Sequence, residues 1–549
     1  MLWRRYALPG TILAGLLLFV VYPAFSVFYK SLLVHGRLGW GNYVALFTQP
    51  HLRRTVWASL LMATASATCS TLLGLILALV AFKSFLPLRR LFVVTAMLPM
   101  IIPGFVNALS YIFLFGRNGL ITYRLLGISW EIYSWRSVFI LQSLDFTTTT
   151  FLLIAAVLVG VGDQMEDAAR NLGADEWQVL TTVTLPLIRP GLMSALLLAF
   201  LRSMADFGTP FIVGGGFTTL ATASYTQLIG TYNTEMASTQ SVILLLCCLL
   251  VFGLYARVQR QSLEVRPQTH GTVRKPLALV APLRWGMWGV SLLFSLVILM
   301  LLVAVFLAAF TKHLGGNMAL TLAHLRTVSQ QGWNSTRNTL LFAIVTSLMM
   351  SFLGIVIAYL VTRGVFRTRR LIDLLATLPF AIPGTFMGVG YALAFNRPPL
   401  LLSGTWAIVV ACTVIRELPL GVRAASSVLV QQDPAIEEAS ANLGASRLTT
   451  FWRIVVPLVR PALLVSALYA FVSTVKTLGA IIFLITPHNK VLSADVFEAT
   501  VRGDVGAAAS FSLLMVLLCA LGVVAIYVLS KRETSQTWIR KVLVGRIPG

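Results

Sequence analysis

Acidic residues are sparse, 19 Asp and Glu in 549 positions, and charges of both signs together make up 11% of the chain. Soluble domains carry about 25% charged residues, so a water-exposed surface cannot be built from this composition. Disorder is excluded by the same scarcity of charge combined with high apolar content. Cysteine is also rare. Cys69, Cys247, Cys248, Cys412 and Cys519 all lie in apolar runs and none forms a C-x-x-C pair, which excludes a disulfide framework or a zinc knuckle. The six histidines are scattered without an H-E-x-x-H spacing, so no metal site is assigned.

What the chain does have is apolar bulk, 57% hydrophobic residues with a mean hydropathy of +0.85. The net charge of +23, from 42 Lys and Arg, is too dilute for the polar basic face of a nucleic-acid-binding protein. A membrane protein remains, with no nucleic acid as partner and the lipid bilayer as solvent. A bilayer core of about 30 Å requires about 20 apolar residues per helix. Runs of that length fall near 11–29, 56–82, 91–115, 137–160, 191–213 and 240–257, then near 285–310, 339–362, 371–395, 405–430, 462–485 and 507–530. The expected fold is all-α and polytopic, with about twelve transmembrane helices. Arg4 and Arg5 precede the first run and Ala24-Phe25-Ser26 resembles a cleavage site. The run continues through Val27, Phe28 and Tyr29, longer than the ~7–15 residues of a signal peptide, and is read as an uncleaved anchor.

Lys and Arg concentrate on the cytoplasmic side of membrane proteins. With a cytoplasmic N-terminus, that side receives Arg4 and Arg5, the Lys83 and Arg89–Arg90 group, the Arg257–Arg284 segment, Arg363 to Arg370, and the tail from Lys531 to Arg546. Both termini are therefore expected in the cytoplasm.

The two sets of six spans match in sequence. Glu166-Asp167-Ala168-Ala169-Arg170-Asn171-Leu172-Gly173-Ala174 answers to Glu437-Glu438-Ala439-Ser440-Ala441-Asn442-Leu443-Gly444-Ala445, and Pro186-Leu187-Ile188-Arg189-Pro190 answers to Pro457-Leu458-Val459-Arg460-Pro461, all at an offset of 271. Leu98-Pro99-Met100-Ile101-Ile102-Pro103-Gly104 answers to Leu378-Pro379-Phe380-Ala381-Ile382-Pro383-Gly384 at offset 280. An even number of spans per half makes this a parallel repeat, about an axis along the membrane normal. The expected organisation is a first half at 1–258, a cytoplasmic linker at 259–283 with Pro267, Gly271, Pro276 and Pro282, a second half at 284–530 and a basic tail at 531–549.

The matched block lies between the fourth and fifth span of each half and reads as two short helices. Asp163 and Glu166 have capping-box spacing, Asp433 precedes Pro434 as a cap before a first-turn proline, and Gly173 and Gly444 suit left-handed helix ends. Ala168, Ala169, Ala439 and Ala441 make a small-residue surface, and Leu172 and Leu443 add apolar contacts. The run E-A-A-x-x-x-G, followed about a dozen residues on by a proline-containing turn, resembles the signature of permease subunits in binding-protein-dependent ABC importers. Ser440 departs from the usual Ala, small for small. The fused two-half layout resembles the ferric-iron importer permeases, whose relatives carry sugar phosphates, phosphonates, thiamine, sulfate and polyamines. The stretch Ala205-Asp206-Phe207-Gly208-Thr209-Pro210, with Ile212 to Tyr225, looks most like the iron-type members.

That resemblance implies a type I ABC importer permease fold in the inner membrane. It implies two copies of a cytoplasmic ATPase docking on coupling helices at Glu166, Ala168, Ala169 and Gly173 and at Glu437, Ala439, Ser440 and Gly444. It also implies a periplasmic binding protein and alternating access. The chain is then a transport subunit rather than an enzyme. ATP with Mg belongs to the partner: only Lys30, Lys83 and Lys476 precede Ser or Thr, and none follows the glycine that a phosphate-binding loop needs. Ferric iron is the leading substrate, with phosphorylated sugars or phosphonates on the same machinery as alternatives. A different class, an ion-coupled secondary transporter, would need no repeated docking helix.

Charges within spans are functional candidates. They are Asp145, Arg202, Asp206, Arg416, Glu417 and Lys476. Arg202 and Asp206, four apart, are expected to pair along one helix face, and adjacent Arg416 and Glu417 to point apart. The two signs cancel and do not select a substrate. Pro103-Gly104 and Pro383-Gly384 are expected to kink the third and ninth spans, and Gly214-Gly215-Gly216 to turn the chain back toward the path.

Overall fold

The computed structural model describes residues 2–84, 86–128, 131–160, 164–262, 280–312, 317–364 and 366–531. Most of the expected linker, the basic tail beyond 531 and Asp163 with its expected cap lie outside the described residues. Among the described residues, apart from a small hairpin pairing Leu33–Val34 with Arg37–Leu38 and a single bridge between Thr311 and Leu320, the regular structure is helical, and eighteen helices form two matched sets of nine. The first set is α1 (Ala7–Ser31), α2 (Pro50–Lys83), α3 (Arg89–Ile101), α4 (Gly104–Phe115), α5 (Trp135–Gly160), α6 (Gln164–Asn171), α7 (Glu176–Ala205), α8 (Leu220–Tyr225) and α9 (Thr234–Ser262). The second is α10 (Ala281–Phe310), α11 (Trp333–Arg363), α12 (Arg369–Phe380), α13 (Gly384–Ala394), α14 (Trp406–Gln431), α15 (Ala435–Asn442), α16 (Arg447–Lys476), α17 (Leu492–Val501) and α18 (Val505–Lys531). Among the described residues nine helices are long and apolar enough to cross a bilayer, and eleven spans result if each bent pair counts as one. The twelfth place is taken by α14, which is long enough but carries Arg416, Glu417 and Arg423.

Three expectations need correction. The proline-glycine pairs do not kink continuous helices; they break them. A proline forces the residue before it out of the helical region, so α3 stops at Ile101, Ile102 and Pro103 are extended, and α4 leaves at 107°. The second break, at Pro383, turns the chain by 112°. The proline-containing segments at 186–190 and 457–461 are not turns. They lie inside α7 and α16, where wide π-type turns at Val179–Thr184 and Phe451–Val455 precede the first proline and absorb its missing hydrogen bond and ring bulk. The fifth and eleventh spans also end earlier than hydropathy implies, at Ala205 and Lys476. Beyond them the chain turns back. Gly215 takes φ +57°, with the Tyr133 carbonyl oxygen only 2.6 Å from where a Cβ would lie, and leads into the buried α8.

The halves are interleaved. The largest buried cluster joins α2, α4 and α5 of the first half to Leu301, Ala304, Val305 and Ala308 of α10. A second joins α13 and α14 to Leu16, Val20 and Val27 of α1. Each half's first helix thus covers the other half's broken span. Thr95 and Ser295 hydroxyls hydrogen-bond at 2.7 Å across one seam, and the Tyr391 hydroxyl donates to the Phe19 carbonyl at 2.8 Å across the other. Glycines set the tightest crossings. On α2, a Cβ on Gly74 would sit 2.4 Å from Thr150 Oγ1 and 2.8 Å from the Phe151 nitrogen. On α11, at offset 280, a Cβ on Gly354 would sit 2.7 Å from the Gly421 carbonyl carbon. Small residues that admit close backbones are a standard means of helix association in lipid.

Candidate functional site

Glu166 and Glu437 occupy the first turns of α6 and α15, as the acidic preference of helix N-termini favours. Neither serves mainly as a cap. The Glu166 side chain is fully buried, accepts from Lys83 Nζ with both oxygens at 2.9 and 2.8 Å, and takes a third bond from Thr184 Oγ1 at 2.9 Å. It therefore fastens α6 between the end of α2 and the π turn of α7. Glu437 repeats the arrangement. Arg363 Nε, at the end of α11, donates to it at 2.8 Å and the Tyr359 hydroxyl at 3.1 Å. Lys83 and Arg363 are the ion-pair partners of the two glutamates, and sequence reasoning used them only as orientation signals. They lie at offset 280 while the glutamates lie at 271, so the pairing is hidden by the nine-residue difference between these offsets.

The loops close alike. Gly173 and Gly444 have φ +90° and +81°, and the nitrogens of Ala174 and Ala445 donate to the carbonyls of Ala169 and Ser440 at 3.0 and 3.1 Å, a Schellman-type ending. Asp175 and Ser446 then cap the next helices. Ser440 is buried and its hydroxyl bonds Thr450 Oγ1 at 2.9 Å, where the first half places Ala169 and Val179 in one apolar cluster. Ala168 and Ala439 are exposed. Beside them Met165, Leu172 and Trp177 stand out from the first loop, and Ile436, Leu443 and Leu448 stand at the matching places of the second. Leu172 and Leu443 are 90% and 89% exposed. Contiguous exposed apolar side chains are a common feature of protein–protein contact surfaces.

The loops also differ. Arg170 donates to both oxygens of Glu176 at 2.8 and 3.1 Å and to Asp167 at 2.9 Å, and the Glu176 carboxylate raises its pKa. The second half has Ala441 and Arg447 at these positions. A cavity of about 460 Å³ opens there, lined by Tyr359, Arg363, Glu437, Arg447 and Pro9 among others.

The span charges gather at the broken helices. Arg202 and Asp206 do not pair, against expectation. The helix ends at Ala205 and Asp206 is extended, so the four-residue helical spacing does not apply. Asp206 instead accepts from Gln142 Nε2 at 2.9 Å, and Arg202 donates to Thr149 Oγ1. Asp145 faces Gly104 at the start of α4, its Oδ2 3.3 Å from where a Cβ would lie. Lys476, at the end of α16, reaches across to the carbonyls of Pro99 and Met100. Arg416 and Glu417 do approach one another, at 4.0 Å. Glu417 also accepts from Ser473 at 2.7 Å, and Arg416 donates to Thr477 at 3.0 Å. Next to these charges the rings of Phe207, Phe211, Tyr225, Phe483 and Phe497 interlock with centroids 4.8–6.2 Å apart. They close the seam between the halves. Periodicity alone could not reveal this cluster, since its members come from four separate segments. Among the described residues no three His, Cys, Asp or Glu side chains form a group that could hold a metal.

Comparison with known proteins agrees with this architecture. The family of binding-protein-dependent transport system inner membrane components matches residues 70–262 and 350–535, once in each half. The ferric transport system permease protein FbpB of Actinobacillus pleuropneumoniae is 31% identical over 539 residues, covering 93% of this chain and 77% of the relative. A putative ferric transport system permease protein of Haemophilus influenzae is 33% identical, covering 86% of this chain and 77% of the relative. A bacterial alginate ABC transporter, solved with its periplasmic protein, aligns with 47% of this chain and 94% of its own at 18% identity and a TM-score of 0.41. With a family match in each half and such relatives along most of its length, the chain belongs to the inner membrane components of binding-protein-dependent transport systems.

Proposed function

We infer that this multi-pass inner membrane permease conducts ferric iron, handed over by a periplasmic binding protein and driven by two copies of an ABC ATPase, one at each of α6 and α15. The observation that carries the substrate is the 31–33% identity, across most of the chain, to permeases named for ferric transport. The likeness of the two loops supports one ATPase copy per half. The distribution of Lys and Arg supports cytoplasmic termini and a cytoplasmic position for both loops. In alternating access, ATP draws the two ATPases together and moves α6 and α15. Through Glu166–Lys83 and Glu437–Arg363 the motion passes to α2 and α11, and the aromatic seam must part to admit substrate.

Proteoliposomes holding the permease, its ATPase and its binding protein test the substrate. ATP-dependent accumulation is expected when the binding protein is loaded with ferric iron. Uptake of hexose phosphate or a phosphonate with none of iron would overturn the assignment. The docking surface has a separate test. Leu172→Asp and Leu443→Asp lie on the exposed surface and are expected to change stability by no more than about 0.5 kcal/mol. Each removes an apolar anchor whose burial against the ATPase is worth about 1.5–3 kcal/mol. ATPase co-purification is therefore expected to weaken about ten- to a hundredfold, as read by titration of the ATPase onto immobilised permease.

A further inference from the structure

The break at Pro103 leaves the last carbonyls of α3 without helical partners. Lys476, from the other half, satisfies two of them, donating from Nζ to Met100 O at 2.8 Å and to Pro99 O at 3.4 Å. An ammonium there also meets the negative end of the α3 dipole. The same region holds further oxygens. Asp145 lies within electrostatic reach of Lys476, Arg202 and Asp206. Thr209 Oγ1 and Asp145 Oδ2 lie 3.6 and 3.3 Å from the same point beside Gly104. Asp206 receives the Thr209 nitrogen at 3.4 Å. On α5 the hydroxyl of Thr148 is buried with no hydrogen-bond partner.

Helix-end carbonyls, carboxylates and a hydroxyl are the hard oxygen donors that multivalent cations prefer. The positive charge beside them here is the chain's own. The contact joins the halves: α3 belongs to one and α16 to the other. We propose that Lys476 is a tethered cation that holds the passage shut in this conformation, and that a transported cation must compete with it for these oxygens. Lys476 is thus a gating and cation-selecting residue. The competition rests on the ferric-iron reading; the latch does not.

The test uses the complete transporter in proteoliposomes. Lys476→Met is expected to raise ATP hydrolysis in the absence of binding protein about five- to tenfold, and Lys476→Arg to keep it near the parent value. Lys476→Cys is expected to behave like the Met variant and to return to the parent rate when an aminoethylating reagent restores an ammonium, but not after iodoacetamide. The parent chain under the same reagents controls for its five cysteines, and the rescue separates charge from folding. Binding-protein-independent hydrolysis at the parent rate in both neutral variants would overturn the latch. Asp145→Asn is expected to lower iron uptake about tenfold, and unchanged uptake would overturn the competition. If the parent takes up no iron while the neutral variants are still uncoupled and rescued, the ferric reading fails and the latch stands.

Discussion

Glu166→Ala is expected to reduce ATP-driven uptake at least a hundredfold, and Glu437→Ala about tenfold. Both remove the carboxylate that ties α6 or α15 to the second span of its half, but the two pairs differ in burial. Lys83 and Glu166 are 4% and 0% exposed, and breaking a buried pair from one side costs about 3–5 kcal/mol. Arg363 and Glu437 are 17% and 18% exposed, and Arg363 keeps its bonds to the carbonyls of Leu429 and Gln432. Its loss falls between that figure and the roughly 0–1 kcal/mol of an exposed pair. Uptake, ATPase co-purification and amide exchange over 164–184 measure the difference. A Lys83→Met, Glu166→Leu double variant, apolar on both sides, should regain loop protection. Equal losses from the two single variants would show that the buried pair has no special part in coupling.

Gly354→Leu is expected to yield no folded, monodisperse protein, and Gly354→Ala to lose about 1–3 kcal/mol of stability, the usual range for overpacking. The obstacle is the Gly421 backbone, which cannot rotate aside as a side chain can. Gly74→Ala should follow the same trend against the Thr150–Phe151 backbone. Gly253→Ala, with open space around it, is the control and should stay within about 0.5 kcal/mol of the parent. Thermal unfolding in detergent, followed by size-exclusion chromatography, separates these cases.

Much of this molecule could be read from residues alone. Apolar runs located the spans because lipid imposes length and hydropathy on each helix separately. The block at 166–174 and its copy at 437–445 located the loops because helix ends are specified locally, by Gly173 and Gly444 and by the residues that precede them. What escaped depends on distant residues. Pro103 announced a bend, but its angle is set by what α4 packs against. Arg202 and Asp206 looked like a pair until the helix ended between them. Lys83 and Glu166 are 83 positions apart, and nothing in either neighbourhood names the other. The exchange of α1 and α10 between halves leaves no local mark, since each reads as an ordinary span.

Lys476 has a further consequence for how such a chain can arise. Its counterpart at offset 271 is Ala205, and its contact crosses from one half to the other. A homodimer of one six-helix protein places every residue twice, so it would make this contact twice or not at all. One lysine facing one broken helix is open only to a molecule whose two subunits are encoded separately. Duplication followed by fusion provides that freedom within one gene, and the lone lysine is a change that became available only after the duplicate copies ceased to be identical.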